Sequence, residues 1–378
     1  MKRLFPILLS LALCIFSAGC SNTGGQTSSQ PANSSLESSG AVQTPPSSQT
    51  EPSSSQPENS RPEEPASSSQ PETPSSSAGS ELPEESSSAV SEPVSAQPSD
   101  GSAFDLGTGT VQLNSGETMP VLGIGTFRLS QEQAENSVYW ALRDGYRLID
   151  TARIYGNEAG VGRGVRRAID EGFVTREEIF VTTKMWTADY DNGPAAIDAS
   201  LERLGLDYID LMILHHSQPE NDVAAYQAME QAVREGKLRS IGLSNYYEPA
   251  DFDRLVNATS ILPALLQNET HPYHQSGVMK EHLKQYGTVM ESWFPLGGRG
   301  NTQTLFDDPT ISAIAAAHGK TSAQVILRWH LQAGNIAIPG SSNEAHIQEN
   351  YEIFDFSLSD EEMARMASLN KDQRFAGY

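Results

Sequence analysis

A barrel of eight alternating strands and helices, (β/α)8, with a β-hairpin before it and a disordered linker before that, is the fold this chain predicts. Three observations lead there. From Ser21 to about Ala103 the chain is Ser, Pro, Glu, Gln and Thr with almost nothing apolar; beyond it the composition is that of a folded protein. In that second part eight apolar, β-rich runs recur: "VLGIGTF", "YRLIDTA", "EIFVTTK", "YIDLMILHH", "RSIGLSNY", "ALLQNETH", "TVMESWF" and "NIAIPGSS". They are apolar throughout, as parallel strands covered on both faces require. Between them lie stretches of helical periodicity, and such repeated alternation is the signature of the TIM barrel.

The N-terminus reads as an address. "MKRLFPILLSLALCIFSAGC" places Lys2 and Arg3 before an apolar segment and small residues before Cys20, the layout of a secretory signal over residues 1–20. "SAGC" resembles the bacterial lipobox, so Cys20 is the expected lipidation site. The protein is then expected at the cell membrane, lipid-anchored and facing outside the cytoplasm. The signal itself holds no Arg-Arg pair, which favours export in the unfolded state. Residues 21–103 hold eleven acidic residues and one arginine, Arg61. They cannot bury enough surface to offset the entropy of ordering them, and Pro-rich, same-sign chains extend into stalks. Both cysteines, Cys14 and Cys20, lie in the signal, which leaves residues 104–378 without disulfides or thiolate metal sites. A net charge of −23 argues against nucleic acid as a partner.

Within 104–378, "VQLNSGETMPV" reads as a hairpin turning at Asn114-Ser115-Gly116 ahead of the first barrel strand. In "QEQAENSVYWALRDG", Ala134, Val138, Ala141 and Leu142 form one stripe and Gly145 ends the helix. In "DVAAYQAMEQAVREG", Tyr226, Met229 and Val233 do the same before Gly236. The last helix opens with a capping box, Ser359 to Glu362. A doubly wound open sheet is the alternative; it needs a G-x-G-x-x-G turn, and "GIGTFR" lacks the third glycine.

Active sites of such barrels lie at the C-terminal ends of the strands. Asp150 ends the second run, Lys184 the third and His215 the fourth, with Ser244-Asn245 after the fifth and Tyr155 in the loop beyond Asp150. An Asp, a Tyr, a Lys and a His converging on one mouth form a proton-handling set. Alone, Asp150 and Lys184 read equally as a structural ion pair.

"LIDTARIYGNE", "VTTKMW", "IDLMILHH", "GLSNY", "QNETHPY" and "IPGSSNEAHIQEN" together resemble the aldo-keto reductase family, in order and spacing, across essentially the whole folded part and closest to its short bacterial members. The resemblance implies an NAD(P)H-dependent reductase of small aldehydes or ketones, acting as a monomer. Tyr155 would be the general acid, Lys184 its electrostatic support, Asp150 the partner of Lys184, and His215 the group that positions the substrate oxygen. Ser244, Asn245 and Gln267 match residues that hydrogen-bond the nicotinamide carboxamide. Trp293 stands where the family stacks a tyrosine, Phe294 replaces a serine, and Thr126 and Leu296 match cofactor-lining positions. At the adenosine end Ser341, Glu349 and Asn350 are kept, but Gly340 and His346 replace the lysine and arginine that hold the 2′-phosphate. NADPH or NADH is the expected cofactor, with the preference for NADPH weakened. Phe127 and Trp186 are expected at the substrate entrance, and the short tail after Asn370 implies an open pocket.

No metal is expected. His215 and His216 are adjacent on a strand and should face opposite ways, and His271 and His274 lack a carboxylate at ligand spacing. A barrel glycosidase would need a second carboxylate at the strand ends, and none stands out. The competing functional reading is a catalytically idle, surface-anchored binding module on the same scaffold; an intact Asp150, Tyr155, Lys184 and His215 weigh against it.

Overall fold

The computed structural model describes residues 104–377. The signal, Cys20 and the linker lie outside the described residues. A small antiparallel sheet comes first: β1 (Phe104–Asp105), β2 (Thr110–Gln112) and β3 (Thr118–Pro120). β2 and β3 are the expected hairpin. β1 was not foreseen, because two residues are too few to show a period.

All eight apolar runs are strands of one parallel sheet. In chain order they are β4 (Gly123–Gly125), β5 (Leu148–Asp150), β6 (Phe180–Met185), β7 (Ile209–Leu214), β8 (Leu238–Ser244), β9 (Leu265–Glu269), β10 (Val289–Trp293) and β11 (Asn335–Ala337). Each pairs with the next, and the ends meet. Leu122 bridges Ala337 and Gly125 bridges Gly340, while the Ala337 amide donates to Val121 O at 3.0 Å. The sheet is thus a closed barrel with no free edge.

Closure limits side-chain size at the seam. A Cβ on Gly125 would stand 2.8 Å from Ile338 O, and one on Gly340 2.9 Å from Gly125 O. Two of the eight strand runs therefore carry glycine where the first and last strands approach.

The helices are α1 (Gln131–Asp144), α2 (Glu158–Asp170), α3 (Gly193–Leu204), α4 (Asp222–Arg234), α5 (Pro249–Val256) and α6 (Gly277–Leu283), then α7 (Thr302–Phe306), α8 (Pro309–His318), α9 (Ser322–Gln332), α10 (Glu344–Tyr351) and α11 (Asp360–Ala367). α1 begins at a Ser130–Gln133 capping box and ends on left-handed Gly145, burying Ala134, Val138, Ala141 and Leu142 as the stripe predicted. α2 presents Gly162 to the C-terminus of α3, where any Cβ would collide with Leu204 O. That close approach lets successive helices follow the curve of the barrel. The capping box of α11, Ser359 with Glu362, is also present. Among the described residues no helix is long and apolar enough to cross a membrane.

The seam yields a stability prediction. Gly125→Ala should lower unfolding stability by about 1–3 kcal/mol through overpacking against Ile338 O. Urea denaturation reads it, and an unmoved midpoint would mean the seam has slack.

Candidate active site

The C-terminal ends of the barrel strands surround a cavity of about 1280 Å³. Asp150, at the end of β5, is 2% exposed, and its carboxylate accepts two hydrogen bonds from Lys184 Nζ, at 2.6 and 2.7 Å. The same ammonium donates to Thr151 O at 2.8 Å. Lys184 on β6 is fully buried, so the ammonium has three oxygen partners in place of water. Burial works against its charge, but Asp150, Tyr155 and Glu291 outweigh that and hold its pKa above the usual lysine value. For Asp150 burial is the largest influence and raises its pKa, with Lys184 and Gln267 acting in the opposite direction.

The segment after β5 explains how a tyrosine reaches this pair. A single 3-10 turn, Arg153–Tyr155, ends at left-handed Gly156. Asn157 then ties the loop down. Its amide donates to Thr126 O (2.8 Å) and Leu129 O (3.0 Å), and its carbonyl accepts from the Thr151 hydroxyl (2.9 Å). Lys184 Nζ lies 5.0 Å from the Tyr155 ring centroid. Phe127 packs against the same ring at 5.0 Å and His215 meets it edge-on at 5.9 Å.

His215 follows β7, with its amide donating to Met185 O and its carbonyl accepting from Asn245 Nδ2 at 2.8 Å. Trp186 stands perpendicular to it at 5.1 Å. Burial, the Lys184 charge and His216 drive its pKa down to about 2, so the imidazole is neutral at working pH. The expectation that His215 and His216 face opposite ways fails. β7 ends at Leu214, strand alternation no longer applies, and the two rings stack at 5.0 Å and 13° with both lining the cavity. Among the described residues no group of three or more His, Cys, Asp or Glu is arranged to hold a metal.

Along the cavity from this cluster run the residues expected to hold the cofactor. Ser244, Asn245, Gln267, Trp293, Phe294 and Leu296 line it, as do Gly340, Ser341, His346, Glu349 and Asn350. Thr126 does not. It is fully buried and both its amide and its hydroxyl donate to Asp150 O, so it supports the strand end that carries the carboxylate. The Trp293 indole N–H donates to Asn245 Oδ1 at 3.1 Å, which fixes the ring plane on the cavity wall. Gln267 spends its amide hydrogens on Asp150 and Glu291, leaving its carbonyl oxygen as an acceptor. A flat aromatic face, amide and hydroxyl groups beside it, and a long groove leading away fit a nicotinamide dinucleotide.

Three groups near the mouth escaped the sequence reading. Glu291, in the apolar run of β10, is fully buried, so a second carboxylate does sit among the strands. Glu269, at the end of β9, is also fully buried and lies 3.2 Å from His271 Nε2, so that histidine does have a carboxylate partner. Glu269 further accepts from the amides of Phe375 and Ala376 and from Arg374, pinning the short tail to the barrel away from the cavity lining. Arg299 lines the cavity as well. A carboxylate inside an apolar run was the available signal for Glu291; nothing local marked the others.

A closed parallel barrel with this mouth is compatible with an oxidoreductase, and comparison with known proteins identifies it as one. The sequence profile described as the aldo/keto reductase family matches residues 105–371. The chain is 42% identical over 271 residues to a 9,11-endoperoxide prostaglandin H2 reductase of Trypanosoma cruzi, covering 71% of this chain and 93% of that one. It is 42% identical to a morphine 6-dehydrogenase of Pseudomonas putida, covering 70% and 92%. A crystal structure of a Bombyx mori aldo-keto reductase in complex with NADP superposes with a TM-score of 0.66 at 37% identity, covering 71% of this chain and 94% of the other. The chain belongs to the aldo/keto reductase family and is an NAD(P)H-dependent oxidoreductase.

The buried pair gives this site's prediction. Asp150→Asn leaves the Lys184 ammonium without its counter-charge and should cost roughly 3–5 kcal/mol of stability. Thermal or urea unfolding of the cofactor-free variant measures it.

Proposed function

We propose that the protein reduces small aldehydes or ketones to alcohols, with Tyr155 as the proton donor. The observation that carries this reading is the Lys184 ammonium, clasped by Asp150 and placed 5.0 Å from the Tyr155 ring at the wall of the cavity. Reduced nicotinamide, when bound, supplies a hydride to the carbonyl carbon. The Tyr155 hydroxyl gives its proton to the carbonyl oxygen, and the positive charge of Lys184 lowers the cost of the phenolate left behind. His215, neutral across the working range, orients that oxygen by hydrogen bonding and exchanges no proton. Phe127 and Trp186, both on the cavity lining, would bound the entrance with aromatic surface, which favours small or aromatic carbonyl compounds. Ser244, Asn245, Gln267 and Trp293 would hold the nicotinamide end, and Ser341, Glu349 and Asn350 the adenosine end.

The adenosine end supports use of NADH beside NADPH. Gly340 offers no side chain and His346 no permanent charge. Two amides in the first turn of α10, at Ala345 and His346, already donate to the Asn343 side chain at 2.9 and 3.4 Å. Little fixed positive charge is left there for a 2′-phosphate. The Cys20 motif further supports a lipid-anchored enzyme outside the cytoplasm. Labelled fatty acid should enter the parent protein, and a Cys20→Ala variant that still incorporates it would overturn the anchor.

Two measurements test the catalytic reading. Tyr155→Phe should lower kcat/KM for a generic aldehyde by about 10²–10⁴-fold; reduction at the parental rate would remove Tyr155 from its role. Turnover with NADH should lie within a thousandfold of that with NADPH, and a larger gap in favour of NADPH would show that Gly340 and His346 do not weaken the clamp. A third concerns pH. With the His215 pKa near 2, kcat should show no limb between about pH 5 and 7, and a histidine-like limb there that vanishes in His215→Gln would contradict the assignment.

A further inference from the structure

Beneath the residues that face the substrate lies a carboxyl group with no part in the reading above. Glu291 on β10 is fully buried and pairs in register with Gln267 of β9, so both side chains leave the same face of the sheet. The Gln267 amide donates to Glu291 Oε1 at 2.6 Å and to Asp150 Oδ2 at 2.9 Å. It therefore spans two carboxyl groups, one of which is the group that holds Lys184. Among the described residues Glu291 Oε2 is buried with no hydrogen-bond partner. An unsatisfied carboxyl oxygen in a barrel interior is costly, and packing alone would be served better by an apolar side chain.

The surroundings define what Glu291 can do. The charged groups facing it are Asp150 from β5 and Lys184 from β6. From β11 it meets Ile336 in register, and His330 of α9 contacts Ser292, the next residue along, on the other face. One ammonium cannot balance two carboxylates in an enclosed space. Burial first, then the charge of Asp150, push the Glu291 carboxyl up to about 8, with Lys184 and Gln267 opposing. Glu291 is neutral at pH 7, and Lys184 and Asp150 balance each other.

We propose that Glu291 and Gln267 are positioning residues of the proton-handling set: Gln267 fixes the Asp150 carboxylate against Lys184, and Glu291 adds a titratable charge that sets how strongly Lys184 acidifies Tyr155. While Glu291 is neutral, the ammonium acts on the phenol opposed only by Asp150. When Glu291 ionises, the buried cluster gains one negative charge and Tyr155 becomes a weaker acid. The proposal rests on the reading of Tyr155 as the proton donor.

The test begins without cofactor. Protein labelled with carbon-13 at the Asp and Glu carboxyl carbons is titrated by NMR from about pH 5 to 10. One glutamate resonance should titrate near pH 8 and be missing in Glu291→Gln. The Asp150 resonance, assigned by its loss in Asp150→Asn, should move over the same interval in the parent. It should stay flat there in Glu291→Gln, and move less in Gln267→Met, which breaks the bridge without touching the carboxyl. In the loaded enzyme, kcat for an aldehyde should fall several-fold as pH rises through this interval, while Glu291→Gln keeps its rate and its KM is unchanged. An Asp150 resonance indifferent to Glu291, or identical kcat–pH profiles for parent and Glu291→Gln, would overturn the proposal. Failure of the underlying reading looks different: Tyr155→Phe would keep its reductase activity, while the carboxyl titration stayed as found.

Discussion

One buried ammonium sets the terms for the rest of the molecule. Lys184 carries a charge where water cannot reach it, and a bare charge in that place would cost far more than the folded state has to spare. Three oxygens make it tolerable: both carboxylate oxygens of Asp150 and the carbonyl of Thr151. Those oxygens come from the strand next to Lys184 and the first residue beyond it. The parallel register of β5 on β6 therefore supplies the solvation shell. A slip of one residue would turn Lys184 to the other face of the sheet and leave Asp150 without a partner.

The same pairing links the fold to chemistry. Asp150 cannot swing, because Thr126 holds its backbone carbonyl and Gln267 holds one of its carboxylate oxygens. Tyr155 cannot drift, because Asn157 fastens its loop to the end of β4. Seam glycines let the first and last strands meet, which brings β4 and β11 to the same mouth. Rigid strand ends thus carry the ion pair, and only one short loop has to be disciplined. Sites built this way hold their geometry without relying on bound substrate.

What the sequence disclosed and what it hid follow from the range of each interaction. Strands covered on both faces are apolar along their whole length, so each of the eight runs announced itself, and a polar residue ending a run marked the mouth. Asp150, Lys184 and His215 were legible for that reason. Local capping was equally plain, as Ser130 with Gln133 and Ser359 with Glu362 show. His216 misled because alternation was carried two residues past the end of β7. Thr126 was assigned by its position at a strand end, yet its hydroxyl turns to a backbone carbonyl 24 residues away. Glu269 is invisible without the fold, since its partners Arg374, Phe375 and Ala376 lie about a hundred residues downstream. Contacts of that span have no periodicity to betray them.

Charge distribution completes the logic of the site. A chain with a net charge of −23 must still attract a dinucleotide that is itself an anion. The carboxylates at the mouth do not oppose this freely. Asp150 is paired with Lys184, Glu269 is surrounded by donors from the tail, Glu349 accepts from the Thr321 hydroxyl at 2.6 Å, and Glu291 is protonated at neutral pH. Arginines show the converse. Arg143, Arg163, Arg176, Arg203 and Arg254 are each held by a carboxylate, while among the described residues no carboxylate pairs with Arg128, which lies over the Phe127 ring, or with Arg299. Both of those line the cavity. Acids that are paired, hydrogen-bonded or protonated, with Arg128 and Arg299 on the lining, give an acidic protein a mouth that can receive an anion.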